Sequence, residues 1–299
     1  MRIRQLKQTT MKINFKEFFN ALTYRFSAFE ILSFSHSIIL SFIPYNQIPG
    51  IQVNSSNQRS NSLSMKKIFL LLLISLQLAS CARVRSKVHE EKGEAKLEAN
   101  DPEGALSQFD RALKLKKEDG DLYRKRGLLK FELQDLEGAL ADLNTAVLYK
   151  AADAETYKTR ADIHVKNKAY KKALPDYDKA IELKPDYETA YNNRGLCKLR
   201  MRNAMGALAD YNKAIETDPG YAPSYMNRAN LKFNMKQYRP ALNDYNKALE
   251  LDSSLAEAYF NRGVLKRIVV DAKGACEDWR KAEEMGFEKA APYVKKYCR

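Results

Sequence analysis

A small residue recurs every 34 positions through the C-terminal two-thirds of the chain, and this period constrains the fold more than any other feature. The column consists of Gly93, Gly127, Ala161, Gly195, Ala229 and Gly263. Two alanine columns that begin at Ala105 and Ala112 keep the same interval. A fixed period of this length indicates stacked supersecondary units, each of which buries an apolar face against its neighbours.

Each 34-residue unit has the pattern of two amphipathic helices. Apolar residues recur at helical intervals between Ala190 and Arg202, which predicts a first helix. After a short polar break, residues between Met205 and Glu216 show the same spacing, which predicts a second helix. When Ser86 is counted as position 1, the small residue at position 8 faces the alanine at position 20. The two helices of a unit are therefore expected to pack closely.

Large residues accompany the small ones at fixed positions. An aromatic residue at position 4, Gly or Ala at 8, Ala at 20, a large residue at 24 and Ala at 27 form a pattern that resembles the tetratricopeptide repeat. The resemblance covers six units, which are 86–119, 120–153, 154–187, 188–221, 222–255 and 256–289. It implies an all-α, right-handed superhelical solenoid of six helix-turn-helix repeats, and we predict a capping helix at 290–299.

The segment that starts at Met65 has the features of a secretory signal peptide. Two lysines precede an apolar run of 12 residues, whereas crossing a bilayer takes about 20 apolar residues. The last four residues of the segment, from Leu78 to Cys81, resemble a bacterial lipobox, which implies cleavage before Cys81 and acylation of this residue. We predict a signal peptide at 65–80 and a lipidated anchor with a short linker at 81–85. The alternative is a buried or membrane helix that happens to end in a cysteine.

The 64 residues before Met65 do not fit a signal peptide, which begins at the N-terminus. We interpret residues 1–64 as a non-native or disordered extension and Met65 as the true start. The alternative is that residues 1–26, rich in Lys and Arg, resemble an organellar transit peptide.

The positive charge of the chain is concentrated upstream of the repeats. The formal net charge is +14, and residues 1–85 hold eleven Lys and Arg against two Asp and Glu. The repeats are therefore nearly balanced in charge. Because nucleic-acid binding needs a positively charged surface, we predict that the chain binds no nucleic acid.

Three cysteines follow the lipobox. Cys197 occupies a position where other repeats place an apolar residue, so we predict a buried thiol. Cys276 lies at the beginning of the second helix of the sixth repeat, and Cys298 ends the capping helix. An antiparallel arrangement of these two helices would bring the two sulfurs together. We predict a disulfide between Cys276 and Cys298, and the alternative is two unpaired thiols.

Two columns of opposite charge also follow the 34-residue interval. Position 7 holds Arg126, Arg160, Arg194, Arg228 and Arg262, and position 23 holds Asp142, Asp176, Asp210, Asp244 and Asp278. Each arginine can reach the aspartate of its own or of an adjacent repeat. We interpret the columns as a structural ion-pair ladder, because the aspartates neutralise the arginines that an acidic ligand would need.

The resemblance places the ligand site on the inner face of the first helices, which forms the concave groove of tetratricopeptide proteins. The candidate residues, which we call the inner face, are Arg124, Phe131, Lys158, Asp162, Asn192, Asn193, Arg200, Asn227, Asn230, Phe233, Asn234, Asn261 and Arg267. Three of them form an asparagine column at position 6: Asn193, Asn227 and Asn261. Their amides can pair with an extended peptide backbone or with water. The inner face is mixed in character and mildly basic.

Enzyme chemistry finds no support in the sequence. There is no Cys/His metal spacing, glycine-rich phosphate loop or nucleophile elbow, so we predict no enzyme, cofactor or metal. We predict a membrane-anchored scaffold or assembly factor of the bacterial cell envelope that binds a protein or peptide. The outer membrane is favoured because Ala82, and not Asp, follows Cys81. The alternatives are an organellar or cytosolic adaptor with a targeting or membrane N-terminus, and a repeat-containing enzyme.

Overall fold

The computed structural model describes residues 55–298, with side chains described from residue 73 onward. The interpretation of residues 1–54 as part of an extension lies outside the described residues. The described range contains thirteen helices and no strand, which confirms the all-α prediction. The helices are α1 (Ser55–Glu98), α2 (Pro102–Leu115), α3 (Gly120–Glu132), α4 (Leu136–Leu148), α5 (Ala154–Lys166), α6 (Tyr170–Leu183), α7 (Glu188–Arg200), α8 (Ala204–Thr217), α9 (Ala222–Asn234), α10 (Tyr238–Leu251), α11 (Ala256–Ile268), α12 (Ala272–Glu284) and α13 (Ala291–Tyr297).

The chain divides into two units after Arg85, immediately before the first predicted repeat. Helix α1 continues without a break through the predicted signal peptide and Cys81 to Glu98. Its residues from Ser86 onward form the first helix of the first repeat. Among the described residues, we find no helix with the length and apolar character that crossing a membrane requires.

The second unit, from Ser86 onward, is a solenoid of helix pairs. From α2 onward, each helix packs against the next helix in the chain, and the first helices of neighbouring repeats also contact each other from α3 to α11. The turn inside each repeat places its position 15 in the left-handed region, with φ between 56° and 70°. The next residue then caps the second helix in four repeats, where Asp101, Asp135, Asn203 or Asp271 accepts a hydrogen bond from a glycine N–H.

The small columns form the core of the solenoid. All twelve alanines at positions 20 and 27 are fully buried, and each lies beside a large buried residue at position 24. At Gly263, a Cβ atom would lie 2.7 Å from the Trp279 ring and 3.1 Å from the carbonyl oxygen of Ala275. The absent side chain therefore allows this helix pair to approach closely, as the spacing predicts.

Helix α13 covers the end of the array. It packs against α12, and the sulfurs of Cys276 and Cys298 are bonded, with 5.4 Å between the two Cα atoms. Trp279 packs against Tyr293 and Tyr297 with ring centroids 5.1 and 5.6 Å apart. The end of the last repeat is thus closed by aromatic packing and by a covalent link.

Cys197 lies inside the solenoid. Its side chain is fully buried, and Sγ lies 3.3 Å from the carbonyl oxygen of Tyr170. Burial raises the pKa of this thiol to about 11. The residue fills the position as a small apolar side chain with a weak S–H donor.

Candidate functional site

The arginines at position 7 join neighbouring repeats. Arg194 donates through Nε and Nη2 to the carboxylate of Asp210, at 3.0 and 2.7 Å, and through Nη1 to Asp178 of the preceding repeat, at 2.7 Å. The other four arginines repeat this geometry, each with the aspartate of its own repeat and with Asp110, Asn144, Asn212 or Asn246 of the preceding one. Each arginine is thus engaged within the protein and is not available to an acidic ligand.

Two further columns take part in this ladder. Sequence reasoning missed the lysine column, and it identified the aromatic column at position 4 without its contact to the arginines. A lysine at position 11 gives four of the five aspartates a second cation at 2.7 to 3.0 Å, in the pairs Lys130–Asp142, Lys198–Asp210, Lys232–Asp244 and Lys266–Asp278. The guanidinium also lies 5.4 to 5.5 Å from the centroid of the tyrosine at position 4. Both columns keep the 34-residue interval, which was the signal available to find them.

The third repeat departs from the lysine column. His164 takes position 11 there and is half-buried beside Asp176. Burial lowers the pKa of its imidazole, and this effect outweighs the opposing charge of Asp176. The histidine therefore favours its neutral form at a position where the other repeats carry a permanent charge.

Two of the four basic residues of the inner face pair with carboxylates. Arg124 Nη1 donates to Asp153 at 3.2 Å, and Lys158 Nζ lies 2.8 Å from Asp162. Burial is the largest single effect on the pKa of Lys158 and lowers it, but the charge and the hydrogen bond of Asp162, together with smaller contributions from Tyr187 and Tyr221, raise the pKa overall. Arg267 stacks over the ring of Tyr297 at 5.4 Å, and Arg200 is exposed. The inner face is therefore less basic than its composition indicates.

The asparagine column binds other residues of the inner face. Asn193 donates to Asp162 at 3.0 Å, Asn227 to Asn192 at 2.9 Å and Asn261 to Asn230 at 3.1 Å. Each bond joins the first helix of one repeat to the first helix of the preceding repeat. The column therefore holds neighbouring repeats in register as well as facing the predicted groove.

Two buried tyrosines at position 24 donate hydrogen bonds to the same network. Tyr177 donates to Asp162 and Tyr245 to Asn230, each at 2.5 Å. Burial, and then the charge of Asp162, raises the pKa of Tyr177 far above its usual value. These hydroxyls remain protonated and donate to the side chain at position 9 of the same repeat, which is Asp162 or Asn230.

A pocket of about 310 Å³ opens on the inner face between the fifth and sixth repeats. It is lined by Asn230, Phe233, Asn234, Tyr245, Glu257, Asn261 and Val264. Four of these residues belong to the predicted inner face. The pocket combines an apolar wall, three amides and one carboxylate, which is the mixture that fixes and orients a ligand in protein sites.

A larger depression of about 620 Å³ lies around the turns that precede α3 and α5. It is lined mainly by charged and backbone groups, including Asp119, Arg124, Tyr149 and Asp153. Arg124 is the inner-face residue found there. Phe131 lies apart from both cavities, beneath the Lys166 ammonium at 4.9 Å. We place the candidate site in the smaller pocket, because only that pocket offers an apolar wall together with amides.

Comparisons with known proteins identify the repeats. Two models described as tetratricopeptide repeat match residues 91–155 and 222–255, and a model described as TPR repeat matches residues 161–201. The matched units, which lie within residues 91–255, are tetratricopeptide repeats. This result confirms, for these units, the resemblance to the tetratricopeptide repeat. No curated protein sequence matches the chain.

Solved structures of several other proteins share the fold. MamA is 23% identical with a TM-score of 0.51, over 55% of this chain and 96% of its own. YrrB, described as a TPR protein with an unusual peptide-binding site, is 23% identical with a TM-score of 0.50, over 63% and 97%. The protein pilF of Pseudomonas aeruginosa is 16% identical with a TM-score of 0.59, over 68% and 93%. At these identities the likeness shows the fold alone.

Proposed function

We propose that this tetratricopeptide protein is a scaffold that binds an extended peptide or protein segment on its inner face and is anchored to a bacterial envelope membrane through Cys81. The pocket between the fifth and sixth repeats carries the binding part of this proposal. The description of YrrB as having a peptide-binding site supports it by analogy of fold.

The chemistry of the pocket suits a peptide. An asparagine amide has two N–H donors and a carbonyl acceptor. Asn261 uses one donor inside the protein, toward Asn230, and this leaves hydrogen-bonding capacity for a peptide backbone. Phe233 provides an apolar anchor beside these amides. Backbone pairing with an apolar anchor is a common mode of peptide recognition.

The membrane part of the proposal rests on the lipobox resemblance and on Cys81. The Cys81 thiol is free and exposed. Acylation of this residue would attach the repeats to the membrane surface, and more than one acyl chain is needed for stable attachment. We place the protein in the outer membrane, because Ala82 occupies the position after the cysteine.

Labelled palmitate tests the anchor. We expect the wild-type protein and a Cys197→Ala control to incorporate the label and to remain with membranes, and we expect Cys81→Ala to lose both properties. Label that survives in Cys81→Ala would refute the anchor, as would a mature protein that begins at Met1 or Met11. In that event, an organellar or cytosolic adaptor becomes the better interpretation.

Selection of random displayed peptides on the full chain tests the binding site. We expect enriched peptides whose affinity falls at least about tenfold in Phe233→Ala, because truncation of a central anchor removes about this much binding energy. Leu148→Ala is the control, since Leu148 is an exposed apolar residue outside the inner face. If no enriched peptide depends on Phe233, the pocket is not the binding site.

A further inference from the structure

Glu257 is the one charged residue that lines the pocket between the fifth and sixth repeats. It lies in the first turn of α11, and its side chain is exposed. After burial, its charge is the second cause that raises the pKa of the Tyr245 phenol. The carboxylate of Glu257 is therefore close enough to the floor of the pocket to act on a ligand there.

The cations around this pocket are engaged elsewhere. Lys232 lies 2.7 Å from Asp244, Arg262 donates to Asp278, and Arg267 stacks over Tyr297. No basic residue lines the pocket itself. The negative charge of Glu257 thus faces a cavity whose other polar groups are neutral.

The floor and wall of the pocket are held in place. Asn230 Oδ1 accepts hydrogen bonds from both Tyr245, at 2.5 Å, and Asn261, at 3.1 Å. The ring of Phe233 packs against Tyr238 with centroids 6.0 Å apart. The pocket therefore presents a fixed aromatic ring and a fixed amide floor to a ligand, with little reorganisation needed on binding.

The equivalent location between the third and fourth repeats has a different charge pattern. Asp162 replaces Asn230 there, and it is bonded to Tyr177, Asn193 and Lys158. Thr189 occupies the position of Glu257. The carboxylate of Asp162 is engaged by these three residues of the protein, whereas the carboxylate of Glu257 faces the pocket between the fifth and sixth repeats.

From this arrangement we propose that the pocket selects a basic side chain, lysine or arginine, of the bound peptide, with Glu257 as the specificity-determining residue. This inference rests on the peptide-binding function proposed above and adds the chemistry of one ligand residue. Lysine and arginine carry an apolar stem and a cationic end. The stem would lie along Phe233 and Val264, the cation would meet the carboxylate of Glu257, and the face of an aromatic ring attracts a cation further.

The test uses the full chain and the peptides selected for dependence on Phe233. We expect these peptides to share a lysine or arginine, and we expect synthetic copies with norleucine at that position to bind about tenfold more weakly in fluorescence anisotropy. Glu257→Gln should abolish most of this preference. Glu257→Lys should reverse the choice between peptides that carry lysine and glutamate. The matched control is Glu155→Gln, at the same position of the third repeat, and it should leave the preference unchanged.

Two results would overturn the inference while leaving peptide binding intact. The first is a set of Phe233-dependent peptides without a shared basic residue. The second is a lysine preference of the same size in wild type and in Glu257→Gln. If no selected peptide depends on Phe233, the proposed function and this inference fail together.

Discussion

A buried tyrosine hydroxyl occupies position 24 in three successive repeats, and its partner differs among them. Tyr177 donates to Asp162 and Tyr245 to Asn230, both at position 9. In the fourth repeat position 9 is Leu196, and the hydroxyl of fully buried Tyr211 has no hydrogen-bond partner within the described part of the chain. A buried hydroxyl left in this way costs roughly 1 to 3 kcal/mol.

Three matched substitutions test this difference. We expect Tyr211→Phe to leave the free energy of unfolding unchanged or to raise it by up to about 1 kcal/mol, because it removes an unpaired polar group. Tyr177→Phe and Tyr245→Phe should each lower it by about 1 kcal/mol, since they remove a formed hydrogen bond. Urea denaturation followed by circular dichroism measures all three. An equal loss of unfolding free energy in the three variants would contradict the conclusion that the Tyr211 hydroxyl is the unpaired one.

At the scale of the helix pair, the turn of the sixth repeat contains a strained residue. Position 15 takes the left-handed conformation in every repeat and is Asn, Gln, Lys or Arg in the first five. In the sixth repeat it is Val270, with φ of 70° and 86% of its surface exposed. A β-branched side chain disfavours this region, and nothing packed around it compensates for the cost.

Val270→Asn is expected to stabilise the protein. Asparagine adopts the left-handed region more easily, so the free energy of unfolding should rise by about 1 kcal/mol. The control is Val269→Asn, which changes an exposed neighbour whose φ is −88° and should give no gain. Thermal unfolding of both variants decides the point, and an equal shift in the two would show that polarity, and not backbone strain, is responsible.

The helices could be predicted closely from the sequence, whereas the contacts of the site could not. The periodicity from Met205 to Glu216 predicts α8, which spans Ala204–Thr217. Helical spacing reports which residues share a face, because neighbours along one helix differ by three or four positions. The bond between Asn193 and Asp162 joins residues 31 positions apart on different helices, so it depends on how adjacent repeats pack. The same holds for the pocket, whose residues come from three helices.

At the scale of the whole solenoid, the arginine ladder couples each repeat to the one before it. Arg194 is mostly buried and connects Asp210 of the fourth repeat with Asp178 of the third. Stability in a repeat array is approximately the sum of the stabilities of single repeats and of the interfaces between neighbours. A residue that contributes to both terms is expected to affect the cooperativity of unfolding as well as its midpoint.

Arg194→Met tests this coupling. We expect it to lower the free energy of unfolding by roughly 2 kcal/mol, because the carboxylate of buried Asp210 loses two charged hydrogen bonds, and to broaden the urea transition. Lys213→Met is the control, since Lys213 is exposed and pairs with Glu216 of the same helix. It should leave the midpoint and slope unchanged. A transition in Arg194→Met that matches this control would show that the ladder does not couple the repeats.

The ladder also makes the length of the protein adjustable. Every arginine finds the same two kinds of partner, an aspartate 16 residues ahead and an acid or amide 16 residues behind. If residues 188–221 were deleted, Arg228 would keep Asp244 and would meet Asp178 where it now meets Asn212. No ion pair would be left incomplete by such a deletion or by a duplication in the same frame. Genetic gain or loss of 34 residues can therefore lengthen or shorten the inner face, and alter the size of the segment it holds, without rebuilding the scaffold.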